Sequence, residues 1–322
     1  MKMNVALVGL GAMGSTHYNL LRKMDDVSIT ALVDIDPNKT IEKANQCNAN
    51  EYQDLKKLLQ NEKPDFVFIC TPSYLHYEQA LETMNQGFHV LLEKPAALNQ
   101  SDVKSLLQCA SDNNVFFMVA QVLRFWPEYI WLKTVTDTNM YGKLLHLNMW
   151  RIGQKPVSSW QDWMLDKEKS GLVPFDLHIH DIDFMVHLCG IPQKDVFLHN
   201  YFEINASSGQ YVETMCEYKN GARVQAKASW YNSQVPFQMG YEAIFDKGYA
   251  EYRQGSLTFY PNTGGKISPI KESILEGSKT NVTNASGYHN EIRYFIDCIK
   301  KNCPPSMVSG DELLAVMSLL GE

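Results

Sequence analysis

Short apolar runs alternate with segments of helical periodicity through the first 120 residues. Continuous apolar runs are typical of strands buried on both faces of a parallel sheet. Strands that alternate with helices predict βαβ units and therefore a doubly wound α/β sheet. The predicted strands are residues 5–8, 28–34, 65–70, 89–93 and 115–120, and the predicted helices are 12–24, 74–87 and 99–113.

The pattern changes after residue 123, where mostly β-like runs follow one another. Turns such as Lys219–Asn220–Gly221 and Asp246–Lys247–Gly248 join them, as in β-hairpins. We therefore predict a second, α+β domain with a largely antiparallel open sheet. The predicted strands are residues 144–150, 195–204, 209–218, 222–231, 237–246, 248–253 and 256–260, with helices at 127–138 and 176–189.

These elements place the first domain at residues 1–122 and the second at residues 123–322, and the terminal helix can pack back on the first domain. The segment 260–288 is polar and rich in turn residues, with little apolar periodicity. Such a segment is predicted to be a mobile loop or a lid.

Composition narrows the classes of function. The chain has 322 residues, 29 Lys plus Arg and 36 Asp plus Glu, a formal net charge of −7 that argues against binding to nucleic acid. No apolar stretch approaches the roughly 20 residues of a membrane span. The seven cysteines form no CxxC pair, as in proteins of a reducing compartment. Because the chain begins without a cationic leader, we expect a cytoplasmic protein.

The first predicted strand runs directly into Gly9, Gly11 and Gly14, a GxGxxG motif that opens a helix. Gly9 permits a tight turn, Gly11 lets the backbone approach a pyrophosphate, and Gly14 lets the helix pack on the strand. Ala12 and Met13 begin the helix, whose N-terminus favours phosphate. Asp34 follows the second strand at the offset of a ribose-binding carboxylate, which favours NAD over NADP. The alternative is a glycine-rich turn without a ligand.

Ligands of such sheets bind outside the carboxyl ends of the strands. Thr71, Pro72 and His76 follow the strand at 65–70 and are therefore candidate neighbours of the cofactor. For His76 a position on the helix surface is an equal alternative.

The stretch DLHIHDID, residues 176–183, allows a metal site, a proton-transfer site or a structural role. Two histidines two positions apart share one face on a strand but diverge on a helix. The downstream apolar spacing favours a helix, which places Asp176, His180 and Asp183 on one side and directs His178 elsewhere. We therefore predict a proton-transfer pair of Asp176 and His180, and no metal.

The sequence GFHVLLEKPAAL at 87–98, together with GLGAMG, RFWP at 124–127 and the Asp176/His180 pair, resembles the Gfo/Idh/MocA family of NAD(P)-dependent oxidoreductases. The resemblance implies that Glu93 and Lys94 lie at the cofactor, that Lys94 approaches the reacting hydroxyl, and that the Lys94–Pro95 bond is cis. It implies a substrate-binding role for Asp176 and an acid/base role for His180. The chain departs from the family in SGLVPFD, where Leu172 replaces a second glycine.

The leading hypothesis is an NAD-dependent dehydrogenase of a ring secondary alcohol in a sugar, sugar derivative or cyclitol, with Lys94, Asp176 and His180 as its catalytic group. The alternatives are an NAD-dependent glycosidase of the same fold and a non-catalytic NAD-sensing regulator. From the resemblance we also expect a homodimer or homotetramer that associates through the open face of the second sheet.

Several further residues have two interpretations. Trp160 and Trp163 lie on a long loop and either stack on a sugar ring or are buried against the domain. Arg124 contacts substrate or cofactor, or forms a structural ion pair. Gln121, Arg151 and His289 are similar cases.

Overall fold

The computed structural model describes residues 2–157, 159–192, 197–205, 209–270 and 285–321. The chain divides into two units. The first comprises Met1–Gln121 with Tyr288–Gly310, and the second comprises Val122–Gly287 with Asp311–Glu322.

The described strands and helices are numbered in chain order. The strands are β1 Met3–Val8, β2 Val27–Val33, β3 Asn50–Tyr52, β4 Phe66–Ile69, β5 His89–Glu93, β6 Phe117–Ala120, β7 Leu144–Gln154, β8 Phe197–Asn205, β9 Gly209–Glu217, β10 Arg223–Tyr231, β11 Gln238–Phe245, β12 Gly248–Arg253 and β13 Ser256–Pro261. The α-helices are α1 Ala12–Leu21, α2 Pro37–Cys47, α3 Leu55–Asn61, α4 His76–Asn85, α5 Gln100–Asp112, α6 Pro127–Asp137, α7 Lys167–Ser170, α8 Ile179–Cys189, α9 Ala285–Lys301 and α10 Gly310–Leu319.

The first unit is built on a parallel sheet of order β3-β2-β1-β4-β5-β6. The strand order reverses between β1 and β4, which is the switch point where doubly wound sheets bind ligands. The predicted doubly wound sheet is therefore confirmed. The short edge strand β3 was not predicted, because its three residues are polar or only half-buried and carry no apolar run.

Side-chain caps explain where several of these helices begin. Asp36, Asp54 and Asn99 each accept a hydrogen bond from a backbone N–H in the first turn of α2, α3 and α5. Such caps satisfy one of the donors that a helix N-terminus leaves unpaired. Helix α4 is followed by Gly87 at φ +81°, as the glycine in the sequence predicted.

The second unit contains a sheet of order β13-β12-β11-β7-β10-β9-β8. Only β7 and β10 pair in parallel among the described pairs, so the predicted largely antiparallel sheet is confirmed. Buried and partly exposed residues alternate along β10, with Val224, Ala226 and Ala228 on the buried face. This alternation is expected of a sheet that covers a core on one side.

The stretch that includes DLHIHDID is helical, as predicted, but it begins with a π turn. Residues Pro174–His178 form the π turn, and α8 continues from there to Cys189. A π turn is wider than an α turn, so an α-helical projection does not give the direction of Asp176.

The helix α9 belongs to the first unit. Arg293 donates two hydrogen bonds to Asp26, at 2.7 and 2.8 Å. The helix α10 belongs to the second unit, where Glu312 accepts a hydrogen bond from Arg124. The lid predicted at 260–288 falls largely on residues 271–284, which lie outside the described residues.

Among the helices of the described residues, none combines the length and the apolar character that a membrane span requires.

Candidate functional site

The glycine-rich turn after β1 is shaped by close backbone contacts. Gly9 has φ +87°, and a Cβ there would lie 2.8 Å from backbone atoms of Cys70 and Thr71. A Cβ on Gly14 would lie 1.8 Å from the carbonyl oxygen of Gly9. Gly11 is exposed, and a Cβ on it would meet no atom within 4 Å. Two glycines therefore shape the turn, while the third leaves room for a ligand to approach the backbone.

The N-terminus of α1 fits a phosphate group. The helix begins at Ala12, its first turn contains no acidic residue, and Gly11 and Ala12 are exposed while Met13 is half-buried. Free backbone N–H groups and the positive end of the helix dipole favour an anion at such a position. The turn and the helix N-terminus can therefore hold the pyrophosphate of a dinucleotide.

Asp34 lies at the end of β2 and braces the same turn. Its Oδ2 accepts a hydrogen bond from Leu10 N at 2.8 Å, and its Oδ1 accepts one from Asp36 N at 3.0 Å. The Lys39 ammonium lies 3.7 Å from Oδ1. Each carboxylate oxygen keeps further acceptor capacity, so Asp34 can still receive hydrogen bonds from ribose hydroxyls.

His76 is buried, so the alternative of a helix-surface histidine is wrong: only 1% of its surface is exposed. Its Nδ1 lies 2.7 Å from the carbonyl oxygen of Pro95 and its Nε2 lies 2.8 Å from that of Thr71. Burial lowers the pKa of His76, although both carbonyl contacts and Glu93 oppose the shift. The histidine thus joins the end of β4 to the turn after β5. Pro72 and the Thr71 side chain, which donates to Gln79, are half-buried beside it.

The Glu93-Lys94-Pro95 turn follows β5 at the carboxyl edge of the first sheet. The Lys94–Pro95 bond is cis, as the resemblance implied. Glu93 Oε1 lies 2.6 Å from His17 Nε2, and Glu93 Oε2 accepts a hydrogen bond from Lys94 N at 3.1 Å. Lys94 itself is half-buried. A buried glutamate therefore contacts both the cofactor-binding helix α1 and the backbone of the candidate catalytic lysine.

Electrostatics keep the Glu93 carboxylate ionised. Burial by itself would raise the pKa of Glu93, but the hydrogen bond from His17, its charge and the charge of Lys94 outweigh burial and leave the pKa below its ordinary value. Nearby, burial raises the pKa of the Cys70 thiol, and Glu93 and Glu291 act in the same direction. A buried thiol with a raised pKa is typical of a packing residue.

The two histidines of DLHIHDID have different surroundings. His178 is fully buried and its Nε2 lies 2.8 Å from Thr214 Oγ1 in β9. His180 and Asp176 are both half-buried. His178 is thus a core residue of the second unit, while His180 keeps access to solvent. No group of three or more His, Cys, Asp or Glu side chains among the described residues is placed to hold a metal ion.

Asp183 was predicted to share a helix side with Asp176 and His180, but an ion pair occupies it. Arg124 Nε and Nη2 donate to the two carboxylate oxygens of Asp183 at 2.8 and 2.6 Å, and Arg124 Nη1 donates to Glu312 at 2.8 Å. Arg124 is 2% exposed. The guanidinium holds together α8, α10 and the short 3₁₀ turn Val122–Phe125. This network corresponds to the structural interpretation of Arg124.

A second buried ion pair lies beside His180. Arg151 Nε donates to Asp181 Oδ1 at 3.2 Å, and Oδ2 of Asp181 has no hydrogen-bond partner among the described residues. Burial raises the pKa of Asp181 to about 6, and Arg151 only partly offsets it. Arg151 is therefore tied to the helix and not exposed to a ligand.

The loop with the two tryptophans lies close in the fold to the π turn. Met164 and Leu177 pack against the same buried cluster of the second unit, which consists of Leu172, Val173, Val212, Ala228 and Trp230. Trp160 is 49% exposed and Trp163 is half-buried. The alternative of two buried tryptophans is therefore wrong for Trp160. Gln161 and Asp162 both adopt the left-handed conformation, which non-glycine residues seldom adopt and which is enriched at functional sites.

The position where the family often has a second glycine is also left-handed. Leu172 has φ +59°, and its N–H donates to Ser170 Oγ at 2.9 Å. Its side chain lies in the buried cluster. The apolar contacts of the leucine offset the backbone strain that a glycine would avoid.

Two residues of these surroundings were missed by the sequence analysis, namely His17 and Asp181. His17 lies three positions after Gly14 in α1, but a single histidine in a helix carries no signal that it contacts Glu93, 76 positions away. Among the residues left with two interpretations, Gln121 is buried and His289 is exposed.

Comparisons with known proteins agree with this arrangement. Two sequence models of one family match the chain: an oxidoreductase family with an NAD-binding Rossmann fold at residues 3–121, and the GFO/IDH/MocA C-terminal domain at residues 129–251.

Individual relatives differ in how much of each chain is covered. The chain is 29% identical to a 2,7-anhydro-N-acetylneuraminate hydratase of Mediterraneibacter gnavus over 59% of this chain and 50% of that protein. The chain thus spans about half the length of that curated relative. It is 23% identical to the myo-inositol 2-dehydrogenase of Thermotoga maritima, over 98% of this chain and 93% of that protein.

A solved levoglucosan dehydrogenase, in complex with NADH and levoglucosan, has the same fold with a TM-score of 0.83 and 19% identity. The match covers 100% of this chain and 96% of that one. Two family models across both units, together with the glycine-rich turn and the cis Lys94–Pro95 turn, establish that the chain belongs to the Gfo/Idh/MocA oxidoreductase family and that its first unit is an NAD-binding Rossmann domain.

Proposed function

We propose that the chain is an NAD-dependent oxidoreductase that transfers a hydride between the nicotinamide and a ring secondary alcohol of a sugar, sugar derivative or cyclitol. The observation that carries the proposal is the position of Lys94. It follows β5 at the carboxyl edge of a sheet whose first turn is shaped for a pyrophosphate, and ligands of such sheets bind at that edge.

Each residue has a separate role in the proposed reaction. NAD, when bound, supplies the hydride acceptor. The Lys94 ammonium donates a hydrogen bond to the substrate oxygen and stabilises the negative charge that develops there. His180 accepts the hydroxyl proton, and Asp176 binds a substrate hydroxyl or orients the imidazole. The partial exposure of His180 and Asp176 supports these roles, because a buried histidine such as His178 cannot exchange protons with a ligand.

The substrate class rests on relatives and on the tryptophan loop. Relatives with long coverage are named for myo-inositol and for levoglucosan. Trp160 is exposed on a loop that packs on the same cluster as Leu177, the residue next to Asp176. An exposed aromatic face is suited to packing against the C–H face of a sugar ring, and we propose that Trp160 and Trp163 contact the substrate.

The test is NADH formation across a panel of cyclitols, hexoses and nucleotide sugars. With the substrate that responds, Lys94→Ala and His180→Asn are expected to lower kcat about 10² fold or more, the usual size of an electrostatic or acid–base contribution. Lys104→Ala and His146→Asn change an exposed lysine and a half-buried histidine elsewhere in the same units and serve as matched controls. Near-normal turnover in Lys94→Ala would contradict the assigned role.

A second candidate uses NAD only transiently. Two relatives are 2,7-anhydro-N-acetylneuraminate hydratases, at 29% and 27% identity over 59% of this chain. Oxidation of a ring hydroxyl acidifies the neighbouring C–H, which permits elimination of a substituent, addition of water and return of the hydride. The same chemistry accounts for an NAD-dependent glycosidase.

Product without net NADH, with solvent deuterium at the carbon next to the oxidised one, would identify this second chemistry. NAD binding without turnover in either assay would indicate an NAD-sensing regulator.

We also propose that the chain forms a homodimer or homotetramer through the open face of the second sheet. The strand registers put Met215, Ile244 and Tyr260 on that face, and each is more than 40% exposed. Light scattering of the wild type and of Ile244→Glu tests this. A mass that the substitution lowers supports the interface, and a monomeric wild type contradicts it.

A further inference from the structure

The turn that carries Lys94 is attached to the rest of the first unit by two buried histidines. His76 reaches the carbonyl oxygen of Pro95 from α4. His17 reaches Glu93 from α1, at 2.6 Å between Nε2 and Oε1. The second Glu93 oxygen accepts from the backbone N–H of Lys94 itself. A continuous set of hydrogen bonds therefore joins α1 to the lysine backbone.

The position of His17 within α1 links these hydrogen bonds to the end of the helix that fits the pyrophosphate. The helix begins at Ala12, where its N-terminus fits the cofactor pyrophosphate, and His17 follows five positions later. At a rise of 1.5 Å per residue, His17 lies about 7.5 Å along the helix axis from that N-terminus. His17 therefore connects the helix that begins at the phosphate site to Glu93.

The packing around His17 leaves it little freedom to adopt another conformation. Its side chain is fully buried, with its ring 4.4 Å from the ring of Phe68 and 5.5 Å from that of Tyr288 in an edge contact. Glu93 is 6% exposed and pairs with His17 inside the first unit. A buried carboxylate that loses its partner is strongly destabilised.

We propose that His17 is a positioning residue that acts through Glu93, holding the Lys94 turn in place and coupling it to occupation of the pyrophosphate site. The inference rests on the proposed role of Lys94 for its catalytic consequence. The coupling between the Lys94 turn and the pyrophosphate site does not depend on that role.

The experiment measures the placement of Lys94 without turnover. The rate of acetylation of Lys94 by a trace reagent, followed by mass spectrometry, is compared with and without saturating NAD. In the wild type NAD is expected to change this rate. The part of this response that the turn transmits, beyond the shielding of Lys94 by NAD itself, is expected to be lost in His17→Leu. In His17→Gln, whose amide can still donate to Glu93, most of the response is expected to remain.

Kinetics provide the second readout. In His17→Leu we expect kcat to fall about tenfold or more while the dissociation constant of NAD changes little, because misplacing a catalytic group by about 1 Å can cost up to about 10²-fold. His89→Gln changes a half-buried histidine at the opposite end of β5, which accepts from Phe116 N, and is the matched control.

The double variant His17→Leu/Glu93→Gln serves if His17→Leu does not fold, since it leaves no buried carboxylate unpaired. It is expected to lose the response to NAD as well. A folded His17→Leu or double variant with the wild-type response would overturn the proposal, and so would identical behaviour of His17→Leu and His17→Gln. If Lys94→Ala keeps full turnover while His17→Leu loses the response, the role of Lys94 fails and the coupling stands.

Discussion

Two buried carboxylates, one in each unit, have pKa values that are shifted in opposite directions. Glu93 contacts His17 at 2.6 Å and also accepts from Lys94 N, and its pKa lies below the ordinary value. Asp181 receives one bond of 3.2 Å from Arg151, while its Oδ2 has no hydrogen-bond partner among the described residues, and its pKa is raised to about 6. Burial penalises both charges. The hydrogen bonds that each carboxylate accepts decide whether its pKa ends above or below the ordinary value.

The opposite pKa shifts of Glu93 and Asp181 suit these carboxylates to different roles. A carboxylate that is stabilised as an anion can serve as a permanent anchor, which suits the position of Glu93 between α1 and Lys94. A carboxylate with a pKa of about 6 changes charge close to neutral pH, and Asp181 follows the candidate proton-transfer residue His180 in the chain. The first unit therefore contains a hydrogen-bonded anchor for the Lys94 turn, and the second unit contains a weakly stabilised charge.

The largest expected effect comes from removing the cation beside Asp181. Arg151→Met leaves this buried carboxylate without its ion-pair partner, which typically destabilises a protein by about 3–5 kcal/mol. Urea unfolding at pH 7 measures the loss. The deficit should shrink at pH 5, where Asp181 is protonated. A deficit that is equal at both pH values would show that Asp181 carries no charge in the folded protein.

The second prediction concerns the pH dependence that Asp181 itself imposes. Its folded pKa of about 6 exceeds the ordinary value of 3.8, so its contribution to stability is fully present below pH 3.8 and is lost as the pH rises towards 6 and beyond. The free energy of unfolding of the wild type minus that of Asp181→Asn should therefore fall by about 2–3 kcal/mol between pH 4 and pH 7. If this difference in free energy instead rises with pH, the folded pKa of Asp181 is lowered and not raised, and the prediction is wrong.

The smallest effect is expected at Glu93. Its folded pKa lies below the ordinary 4.5, so its contribution is present above that pH and is lost as the pH falls through the folded pKa. Glu93→Gln keeps the shape of the side chain and part of its hydrogen bonding, so it should cost about 1.5 kcal/mol at pH 7, the lower end of the range for hydrogen bonds to charged groups. Unfolding measured at pH 7 and pH 4 should show the cost diminishing at the lower pH, opposite in sign to Asp181→Asn.

Much of the fold could be predicted from local signals. The buried strands of the first sheet are continuous apolar runs, and the seven strands of the second sheet follow β-like runs and hairpin turns. The edge strand β3 was not predicted, because pairing at a sheet edge needs no apolar residues. The π turn at Pro174–His178 was not predicted, because over five residues its sequence periodicity differs little from that of an α-helix.

The sequence by itself determined the backbone features of the candidate site. Gly9 adopts a positive φ, Gly14 leaves no room for a Cβ, and the Lys94–Pro95 bond is cis as the family resemblance implied, so each feature could be predicted from a short motif. The tertiary structure alone decided the partners of the charged side chains: His17 with Glu93, Arg124 with Asp183, and Arg151 with Asp181. Backbone conformation depends on neighbours in the chain, whereas an ion pair joins residues 30 to 76 positions apart that only packing brings together.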